Sequence, residues 1–592
     1  MIEAPASARL EVIAGPGTGK TFALLTRAAW LADREEIEPA TDLLILSFSR
    51  AAVETVARRG STETHLGRLP VSTVDSFATR LLIEVGADVS GSFEDRIVRA
   101  GAVLTGADGE LPEMVASIRH VLVDEAQDVV GVRATFVREL LELVCRDSGS
   151  GFTVFGDSAQ AIFDFQMGPR PDPRKRLLTL LETDGPEAER CELKTNHRME
   201  NERLVEFATT AGDALRETKG DGWAKLHREI SREVLLEAGW ADLDAAASAI
   251  RAVQEQPERP RVAVLCRTNA EALYLGAYLQ AAGLEVSVRH RAQDRGGAPW
   301  LAVLFADCPV TKAPIPVDPS APEERPWLRP PADLRRVLRR AGLAGGKDVD
   351  LNRLASLLRC GACPEELVGQ WDAPVTISTI HRAKGLEYDV VFVVESNRPP
   401  RGEESFEEAK VAYVAGTRAR SRLLGAPVLK LGGPIKQLEG GARVAVCFWR
   451  SDRQSRPRLI EVKISDADDD WTPSNREEFD RVQAVLRERL RPGDPIELRL
   501  RRETDGYEPR FEIVHLPDTA SETVIGGTDR YFGRMLKREV LGRTPRRLSD
   551  LTADIPDTAA LSALTARELG LGEHGLHLRA RVYGLGQMRW RD

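Results

Sequence analysis

The sequence of 592 residues predicts an α/β protein whose larger, N-terminal part contains parallel sheets and whose last region, after about residue 430, is mainly β. Two observations predict the parallel sheets. One is a strand, a glycine-rich loop and a helix in direct succession near the N-terminus, and the other is a set of short apolar runs, such as VVFVV at 390–394, that are typical of strands buried on both faces. Period-two alternation of apolar residues predicts the β structure of the last region.

The glycine-rich loop is GPGTGKT at 15–21, which has the spacing of a phosphate-binding loop. The apolar stretch before it, 10–14, predicts a buried strand, and apolar residues at helical spacing after it predict a helix. Loop amides and a helix N-terminus together form a concavity for anionic oxygens. Lys20 can reach the terminal phosphates of a nucleotide, and Thr21 can hold Mg²⁺. The predicted nucleotide-binding residues of the loop are Gly15, Pro16, Gly17, Thr18, Gly19, Lys20 and Thr21.

An acidic pair, Asp124 and Glu125, follows the apolar run at 121–123. Open α/β sheets bind their ligands at the carboxyl ends of strands, which is where this pair falls. Asp124 is suited to bind Mg²⁺, and Glu125 to position and deprotonate an attacking water. The alternative is an acidic helix cap, since Asp and Glu favour first turns. The upstream phosphate loop favours the catalytic interpretation.

Five segments in fixed order resemble one family. They are GPGTGKT at 15–21, VLVDEAQD at 121–128, FGDSAQAIF at 155–163, HRAKGLEY at 381–388 and YVAGTRAR at 413–420. DEAQD followed by GDxxQ is distinctive for superfamily 1 helicases of the UvrD/Rep type, which the chain resembles over about 10–425. The resemblance implies an ATP-driven DNA motor with two RecA-like domains, and ATP and Mg²⁺ as cofactors.

Three weaker matches extend the resemblance: SFSRAA at 47–52, STVDSF at 72–77 and LKTNHR at 193–198. Ala51 stands where a lysine is common in the family. His197 stands where the family usually has a tyrosine that stacks on the nucleotide, so the resemblance implies nucleotide contact there. The family's glutamine-bearing segment upstream of the phosphate loop is not recognisable, which leaves adenine specificity open.

The resemblance also implies catalytic roles. Gln160 would sense the γ-phosphate and couple it to nucleic acid. Arg198 and Arg418 would act as arginine fingers from a second domain, a role that suits a planar and permanently charged donor. Glu387 would contact the nucleotide sugar, with Gly385 beside it. For an isolated arginine the alternative is a solvated surface charge.

Contacts with a DNA strand are implied for two kinds of residue. Aromatic side chains that would stack on bases are Phe48, Phe163 and Phe165. The alternative for a phenylalanine at the end of a buried strand is a place in the core. Neutral donors that would bind phosphates without reading sequence are Thr73, Ser76 and His381.

The resemblance and the pattern of elements together predict the domains. A first motor domain (1A) at 1–84 and 119–190 is interrupted by a reduced insertion (1B) at 85–118, and a second (2A) at 191–295 and 371–425 by a reduced 2B-like helical insertion at 296–370. Residues 430–592 form a β-rich C-terminal domain of unknown role. Residues 261–288 predict a strand, a helix and a strand of the second parallel sheet. A Pro-rich loop at 312–331 and two helices predict the second insertion.

In the C-terminal domain, the segments 496–502 and 509–516 predict a hairpin around the turn signal Asp505-Gly506. The segment 576–584 alternates, with Arg579, Arg581 and Tyr583 on its outer face. A basic cluster fits either a solvated face or a surface for nucleic acid or a partner. Its members are Arg534, Lys537, Arg538, Arg543, Arg546 and Arg547.

Two metal-binding alternatives are weak. LIEVK at 459–463, with Asp452 upstream, matches the E-x-K core of a nuclease fold, but any strand with alternating charges produces this pattern, and no convergent set of carboxylates can be assembled. Cys360 and Cys363 form a CxxC pair without a second pair at zinc-site spacing. Reduced thiols are expected instead.

The net charge of −9 gives no overall basic field, so nucleic acid would have to bind in a local groove. No apolar run approaches the roughly 20 residues that span a bilayer, and the N-terminus runs directly into the phosphate loop, so we expect a cytoplasmic protein.

The leading functional hypothesis is an ATP-dependent single-strand DNA translocase and helicase, moving 3′ to 5′, in DNA repair, recombination or anti-phage defence. Its expected partners are single-stranded DNA or a single-strand/duplex junction, and a protein bound through the C-terminal domain. One alternative is an ATP-driven remodeller of a protein–nucleic-acid complex such as stalled RNA polymerase. The other is a non-motor ATPase switch of a defence system.

Overall fold

The computed structural model contains two compact units, which are described separately. It describes residues 1–35, 37–47, 71–90, 92–106, 112–167, 172–218, 222–289, 297–306, 308, 311–316, 325, 328–331, 333–344, 346–359, 367, 373–396, 404–431, 433–438, 443–449, 455–463, 466–468, 471–491, 494, 496–501, 510–515, 522–536, 538, 551–555, 559–568 and 576–590. Unit 1 comprises Met1–Ala238, Ala383–Val393 and Arg398–Gly425. Unit 2 comprises Gly239–Arg382, Val394–Asn397 and Ala426–Asp592.

Unit 1 contains a parallel sheet with strand order β3-β2-β4-β5-β1-β6. Its strands are β1 (Arg9–Ala14), β2 (Leu43–Ser47), β3 (Val71–Thr73), β4 (His120–Asp124), β5 (Gly151–Gly156) and β6 (Glu189–Leu193). The central strands are buried along their length, as their apolar sequences predict. Unit 1 also holds most of two neighbouring later strands, β12 (Tyr388–Val394) and β13 (Ala419–Ala426).

The helices of unit 1 include members that pack on each face of this sheet. They are α1 (Lys20–Arg34), α2 (Val74–Glu84), α3 (Phe93–Thr105), α4 (Glu113–Ala116), α5 (Val132–Val144), α6 (Leu177–Asp184), α7 (Glu202–Glu217), α8 (Trp223–Val234) and, later in the chain, α15 (Glu404–Gly416). On one face, α1 packs its buried Leu24 and Leu31 with strand residues of one core cluster. On the other, α3 buries Ile97 and Leu104 in the cluster that contains Phe136 of α5, so the segment predicted as a first insertion shares the core of the sheet.

Unit 2 begins with α9 (Leu243–Gln254) and a smaller group of parallel strands. β11 (Val375–Thr379) lies between β7 (Val262–Cys266) and β8 (Val286–Val288) and pairs with both in parallel. Helix α10 (Asn269–Ala281) connects β7 to β8, and the Thr268 side chain caps it in a capping box with Glu271. The strand, helix and strand predicted at 261–288 are therefore confirmed.

The rest of unit 2 is mainly β. Its order is β14-β15-β16-β22-β20-β17-β18-β19, and β21 also pairs with β22. The strands are β14 (Ile435–Leu438), β15 (Arg443–Trp449), β16 (Ser455–Val462), β17 (Ile496–Leu500), β18 (Phe511–His515), β19 (Thr523–Gly527), β20 (Leu551–Ile555), β21 (Ala559–Glu568) and β22 (Leu576–Trp590). All the described pairings in this sheet are antiparallel.

Short helices and a small hairpin complete unit 2. The hairpin pairs β9 (Lys312–Pro314) with β10 (Asp348–Asp350). The helices are α11 (Pro299–Phe305), α12 (Leu334–Arg340), α13 (Leu351–Arg359), α14 (Ile380–Ala383), α16 (Arg476–Ala484) and α17 (Arg530–Met535). The two helices predicted in the second insertion are α12 and α13.

The second insertion and the C-terminal sheet share one hydrophobic core. Phe305 of α11, Leu338 of α12 and Leu354 of α13 belong to the same buried cluster as Leu578 and Val582 of β22. The sequence predicts a separate domain for each region, whereas the structure packs the insertion against the C-terminal sheet.

The α/β fold class with a mainly β C-terminal region is confirmed. The predicted hairpin is also confirmed, because β17 and β18 pair in antiparallel register and bury Ile496 and Leu498. The predicted outer face of β22 is wrong for Arg579 and Tyr583, which are buried. Arg579 donates from Nη1 to the Asp468 carbonyl (2.9 Å) and from Nη2 to the Trp471 carbonyl (2.6 Å), so these two residues contact the face that was predicted to be exposed.

Several predicted features lie outside the described residues. They are Phe48, Cys360, Cys363, Asp452, Asp505, Gly506, Lys537, Arg543, Arg546 and Arg547, and also the side chain of Phe165. Among the described residues, no group of three or more His, Cys, Asp or Glu side chains is arranged to hold a metal ion. Within the same part of the chain, every helix is too short or too polar to cross a membrane.

Candidate nucleotide site

The phosphate loop joins the carboxyl end of β1 to α1. Gly17 (φ +80°) and Gly19 (φ +84°) have left-handed backbone conformations, which only glycine adopts without strain. Lys20 is the first residue of α1, and its ammonium donates to the Ala14 carbonyl (3.0 Å) and lies 3.9 Å from Glu125 Oε1. Thr21 follows in the first helical turn, so both side chains stand at the helix N-terminus where a phosphate would bind.

A second segment closes around this loop. Asn196 Nδ2 donates to the Pro16 carbonyl (3.0 Å), and the His197 amide donates to the Gly17 carbonyl (2.8 Å). A Cβ atom at Gly17 would lie 2.6 Å from Asn196 Oδ1, so the close approach requires glycine. His197 itself is exposed, and a Cβ atom at Gly19 would lie 3.7 Å from its ring. The structure therefore places His197 beside the loop.

The acidic pair ends β4, one strand removed from β1 in the sheet. Asp124 is buried, and its Oδ1 accepts from the Glu125 amide (2.9 Å). Glu125 has φ 51°, and among the described residues only it and Arg259 are non-glycine residues with positive φ. Strained backbone of this kind is concentrated at functional sites.

The two carboxylates differ in protonation. Burial and the neighbouring Glu125 raise the pKa of Asp124 to about 7. Burial alone would also raise the pKa of Glu125, but Lys20, Lys384 and a hydrogen bond from Gln127 outweigh it and hold that pKa at about 2. Glu125 is therefore the more readily ionised member of the pair.

A polar network connects this pair to the next motif. Gln127 Nε2 donates to Glu125 Oε2 (2.5 Å), and Gln127 Oε1 accepts from the Asp157 amide (3.0 Å). Gln160 Nε2 donates to Asp157 Oδ2 (2.7 Å). Asp157 Oδ1 also accepts from Nη2 of Arg216 on α7 (3.1 Å). The predicted sensor glutamine is thus held in place by a buried carboxylate.

Both predicted arginine fingers lie in unit 1 near these groups. Arg418 is buried; its Nη2 donates to Gln160 Oε1 (3.2 Å) and its Nε to the Val414 carbonyl (2.9 Å). Burial lowers the pKa of Arg418 to about 10, so the guanidinium stays charged at neutral pH. Arg198 Nε lies 2.6 Å from Glu387 Oε2, which joins two predicted nucleotide-contacting residues in one ion pair.

Lys384 makes a further buried ion pair that sequence reasoning missed. Its ammonium lies 2.5 Å from Asp128 Oδ1 and also donates to the Gln160 carbonyl. Gly385 follows with φ +80°. Burial raises the pKa of Asp128 to about 7, and Lys384 opposes that rise. The ion pair ties the segment at 384–387 to the acidic motif and to the sensor glutamine.

The residues predicted to contact DNA are divided between the two units. Phe163 is half-buried, and the Lys384 ammonium lies 5.3 Å from its ring centroid. Thr73 caps α2, since its Oγ1 accepts from the Ser76 amide (3.1 Å), and it donates to Ser76 Oγ (2.8 Å). His381 is half-buried and belongs to unit 2. These DNA contacts stay predictions.

Five functional candidates were missed from the sequence: Gln127, Asp157, Asn196, Arg216 and Lys384. Four lie inside the recognised motifs, so their position in a motif was an available signal. Arg216 lies on α7 outside every motif, and only the fold brings it to Asp157.

The residues present fit a nucleotide with Mg²⁺. Gly17 and Gly19 have the left-handed conformations that suit a phosphate-binding loop, and Lys20 supplies the cation. Thr21 and Asp124 carry oxygen atoms of the kind that Mg²⁺ takes as ligands alongside substrate phosphates.

A phosphate loop at the end of a parallel strand, with an acidic pair ending a nearby strand, defines the P-loop nucleoside triphosphatase class. Two family models match this chain. The UvrD/REP helicase N-terminal domain matches residues 2–91 and 87–170, and the UvrD-like helicase C-terminal domain matches residues 349–425. These matches, over residues 2–170 and 349–425, support a UvrD/Rep-type superfamily 1 helicase.

Solved structures give weaker likenesses. The Pif1 helicase from Bacteroides, in complex with ADP-AlF3 and ssDNA, is 11% identical, with 72% of this chain and 90% of that chain covered and a TM-score of 0.33. Pif1 from Candida albicans is 15% identical, with 72% and 91% covered and a TM-score of 0.34. TM-scores of this size do not establish a shared arrangement. None of the curated proteins matches the chain.

Proposed function

We propose that this protein is an ATP-dependent single-strand DNA translocase with helicase activity that moves 3′ to 5′. One observation carries the proposal: the amide of Gln160 joins Asp157 to Arg418, and the Gln160 backbone accepts from Lys384. Gln160 thus contacts a candidate arginine finger through its side chain and Lys384 of the HRAKGLEY motif through its backbone. A residue with both contacts is suited to couple phosphate chemistry to movement.

The site residues divide the work of ATP hydrolysis. Lys20 leaves the Ala14 carbonyl to bind the terminal phosphates, and the loop amides hold the remaining oxygens. Arg198 and Arg418 place fixed positive charge where negative charge grows in the transition state. The ionised Glu125, held by Gln127, orients the attacking water and accepts its proton. Mg²⁺, bound by Thr21 and Asp124, would neutralise phosphate charge.

The test joins two assays on one preparation. ATP turnover is measured with and without a single-stranded oligonucleotide, and streptavidin displacement is measured from a biotin at either end of the strand. We expect strand-stimulated turnover and faster displacement at the 5′ end, toward which a 3′-to-5′ motor moves. The Lys20→Ala variant, which lacks the phosphate-binding cation, is the control and should show neither.

The other outcomes are informative. ATP turnover that the DNA strand does not stimulate would favour the ATPase-switch hypothesis over the motor hypothesis. Faster displacement at the 3′ end would reverse the polarity. Retention of RNA polymerase on the purified protein, with displacement activity confined to that complex, would favour the remodelling function. Sensitivity of a deletion strain to DNA damage, or to phage, would identify the pathway.

A further inference from the structure

Helix α17 of unit 2 combines an apolar face and a basic face. Phe532, Met535 and the following Leu536 are buried at 0%, 1% and 0% exposure. Arg530 and Arg534 are exposed, as is Tyr531 at 52%. The exposed side of this helix is therefore cationic and aromatic.

The helical spacing places Arg530, Tyr531 and Arg534 in one stripe, and Arg538 follows at the same sequence interval beyond the end of the helix. Arg530, Arg534 and Arg538 are four residues apart, and Tyr531 is three residues before Arg534. Residues three and four apart lie on the same face of a helix. Arg538, which follows the last turn, is also exposed. The stripe carries positive charge on a chain whose net charge is −9.

The helix is fixed to the C-terminal sheet. The Asp529 side chain accepts from the Phe532 amide (2.8 Å) and caps the helix, while the Asp529 amide donates to the Asp466 carbonyl (2.9 Å). The Phe532 ring packs edge-on against Phe511 of β18, with centroids 5.7 Å apart. A stripe on an anchored helix presents its side chains with little loss of backbone entropy on binding.

We propose that this stripe is a second nucleic-acid surface, which binds the phosphates of a single strand through Arg530, Arg534 and Arg538 and stacks one base on Tyr531. Charge complementarity selects a polyanion, and guanidinium groups suit phosphate oxygens. The exposed tyrosine selects an unpaired strand, because a base within a duplex does not present its face. The C-terminal domain thereby gains a role in holding the strand outside the nucleotide site.

The test measures oligonucleotide affinity by fluorescence anisotropy, on the full chain and without nucleotide, at several salt concentrations. The double variant Arg530→Gln/Arg534→Gln should weaken binding of a single-stranded DNA by about tenfold at low salt. The slope of log affinity against log salt concentration should become less negative by about 1.4, which is the value for two phosphate contacts with a single strand. ATP turnover without DNA should not change.

A matched control removes the same charge elsewhere on this domain. Arg476→Gln/Arg481→Gln neutralises two exposed arginines of α16, which pair with Asp480 and Glu477 of the same helix. It should leave both affinity and salt slope at their wild-type values. Equal losses in the two double variants would mean that only net charge matters and would overturn the proposal.

A substitution of Tyr531 tests whether the stripe prefers a single strand to a duplex. Tyr531→Leu keeps an apolar side chain but removes the ring, and should weaken single-strand binding by about tenfold while leaving duplex binding unchanged. DNA and RNA strands of equal length show which backbone the stripe prefers. Unchanged affinity of the arginine double variant for every oligonucleotide would overturn the proposal, including the case in which the stripe binds an acidic protein instead.

Discussion

Units 1 and 2 both bury charged side chains, but they pair them differently. In unit 2, Arg443 is 1% exposed, and its Nη1 and Nη2 lie 2.6 and 2.7 Å from the two carboxylate oxygens of Asp466. Asp466 also accepts from the Lys463 amide (2.7 Å), and Arg443 Nη1 donates to the Glu461 carbonyl (2.5 Å). Both charges of the Arg443–Asp466 pair meet a partner in good geometry.

In unit 1, two carboxylates stand side by side at the nucleotide site. They are Asp124 and Glu125, and burial together with the neighbouring Glu125 raises the pKa of Asp124 to about 7. Arg418 is buried, and burial lowers its pKa to about 10. Titratable groups under this kind of strain indicate a functional site, whereas a satisfied buried ion pair indicates structure. The comparison teaches that two like charges held side by side, rather than burial, distinguish the nucleotide site of unit 1 from the Arg443–Asp466 ion pair of unit 2.

The largest expected effect is at Glu125. Glu125→Gln preserves the shape of the side chain but removes the carboxylate that accepts a proton, so ATP turnover should fall by about 10⁴-fold while nucleotide still binds. Single-turnover hydrolysis and nucleotide binding measured on the same protein check this. Hydrolysis within a few-fold of wild type would remove Glu125 from the catalytic role.

The next largest effects on ATP turnover are expected at Arg198 and Arg418. Arg198→Ala and Arg418→Ala each remove a fixed charge from the region of the transferred phosphoryl group, and each should lower turnover by about 10³-fold with a modest loss of ATP affinity. Steady-state kinetics separate kcat from KM. Arg203→Ala, which removes an arginine of α7 from outside the site, is the control and should turn over normally. Normal turnover in either site variant would exclude that arginine from the chemistry.

The satisfied pair of unit 2 should affect stability and not chemistry. Asp466→Asn leaves Arg443 buried without its anionic partner, which costs about 3–5 kcal/mol, whereas Arg443→Met with Asp466→Leu should recover much of this loss. Hydrogen exchange should show faster opening of β16 and β22 in the single variant, with β1 and β5 unchanged. Equal exchange in the single and double variants would contradict the distinction between the units.

The smallest effect concerns duplex unwinding. The predicted insertions are short, and melting a duplex costs on average about 1.4 kcal/mol per base-pair step, so a motor without extended grip on the duplex gains little from each forward step. The isolated protein should displace streptavidin from a single strand efficiently and unwind tailed duplexes progressively less well as they lengthen. Processive unwinding of long duplexes by the same preparation would refute this.

Local features of the fold were predictable. The strand before the phosphate loop, the buried strand before the acidic pair, the 261–288 unit and the 496–515 hairpin each follow from a few consecutive residues and their periodicity. The motifs also predicted that Lys20, Glu125, Gln160 and Arg418 belong together, and the structure brings them together in unit 1.

Long-range packing was not predictable. Arg579 was expected to be exposed because its strand alternates, but Asp468 and Trp471 contact it there, and no local sequence pattern predicts such a contact. Arg216 reaches Asp157 across 59 positions of sequence, and the core shared by the second insertion and the C-terminal sheet joins segments still further apart. Contacts of this kind depend on the fold as a whole.

The shared core of unit 2 constrains how the gene can be shortened. A chain that stops near residue 430 would keep Leu338 and Leu354 but lose the β22 side chains against which their cluster packs. The remaining fragment would expose apolar surface and tend to aggregate. The C-terminal region and the second insertion therefore behave as one folding module. Neither part can be deleted or exchanged without repacking the other.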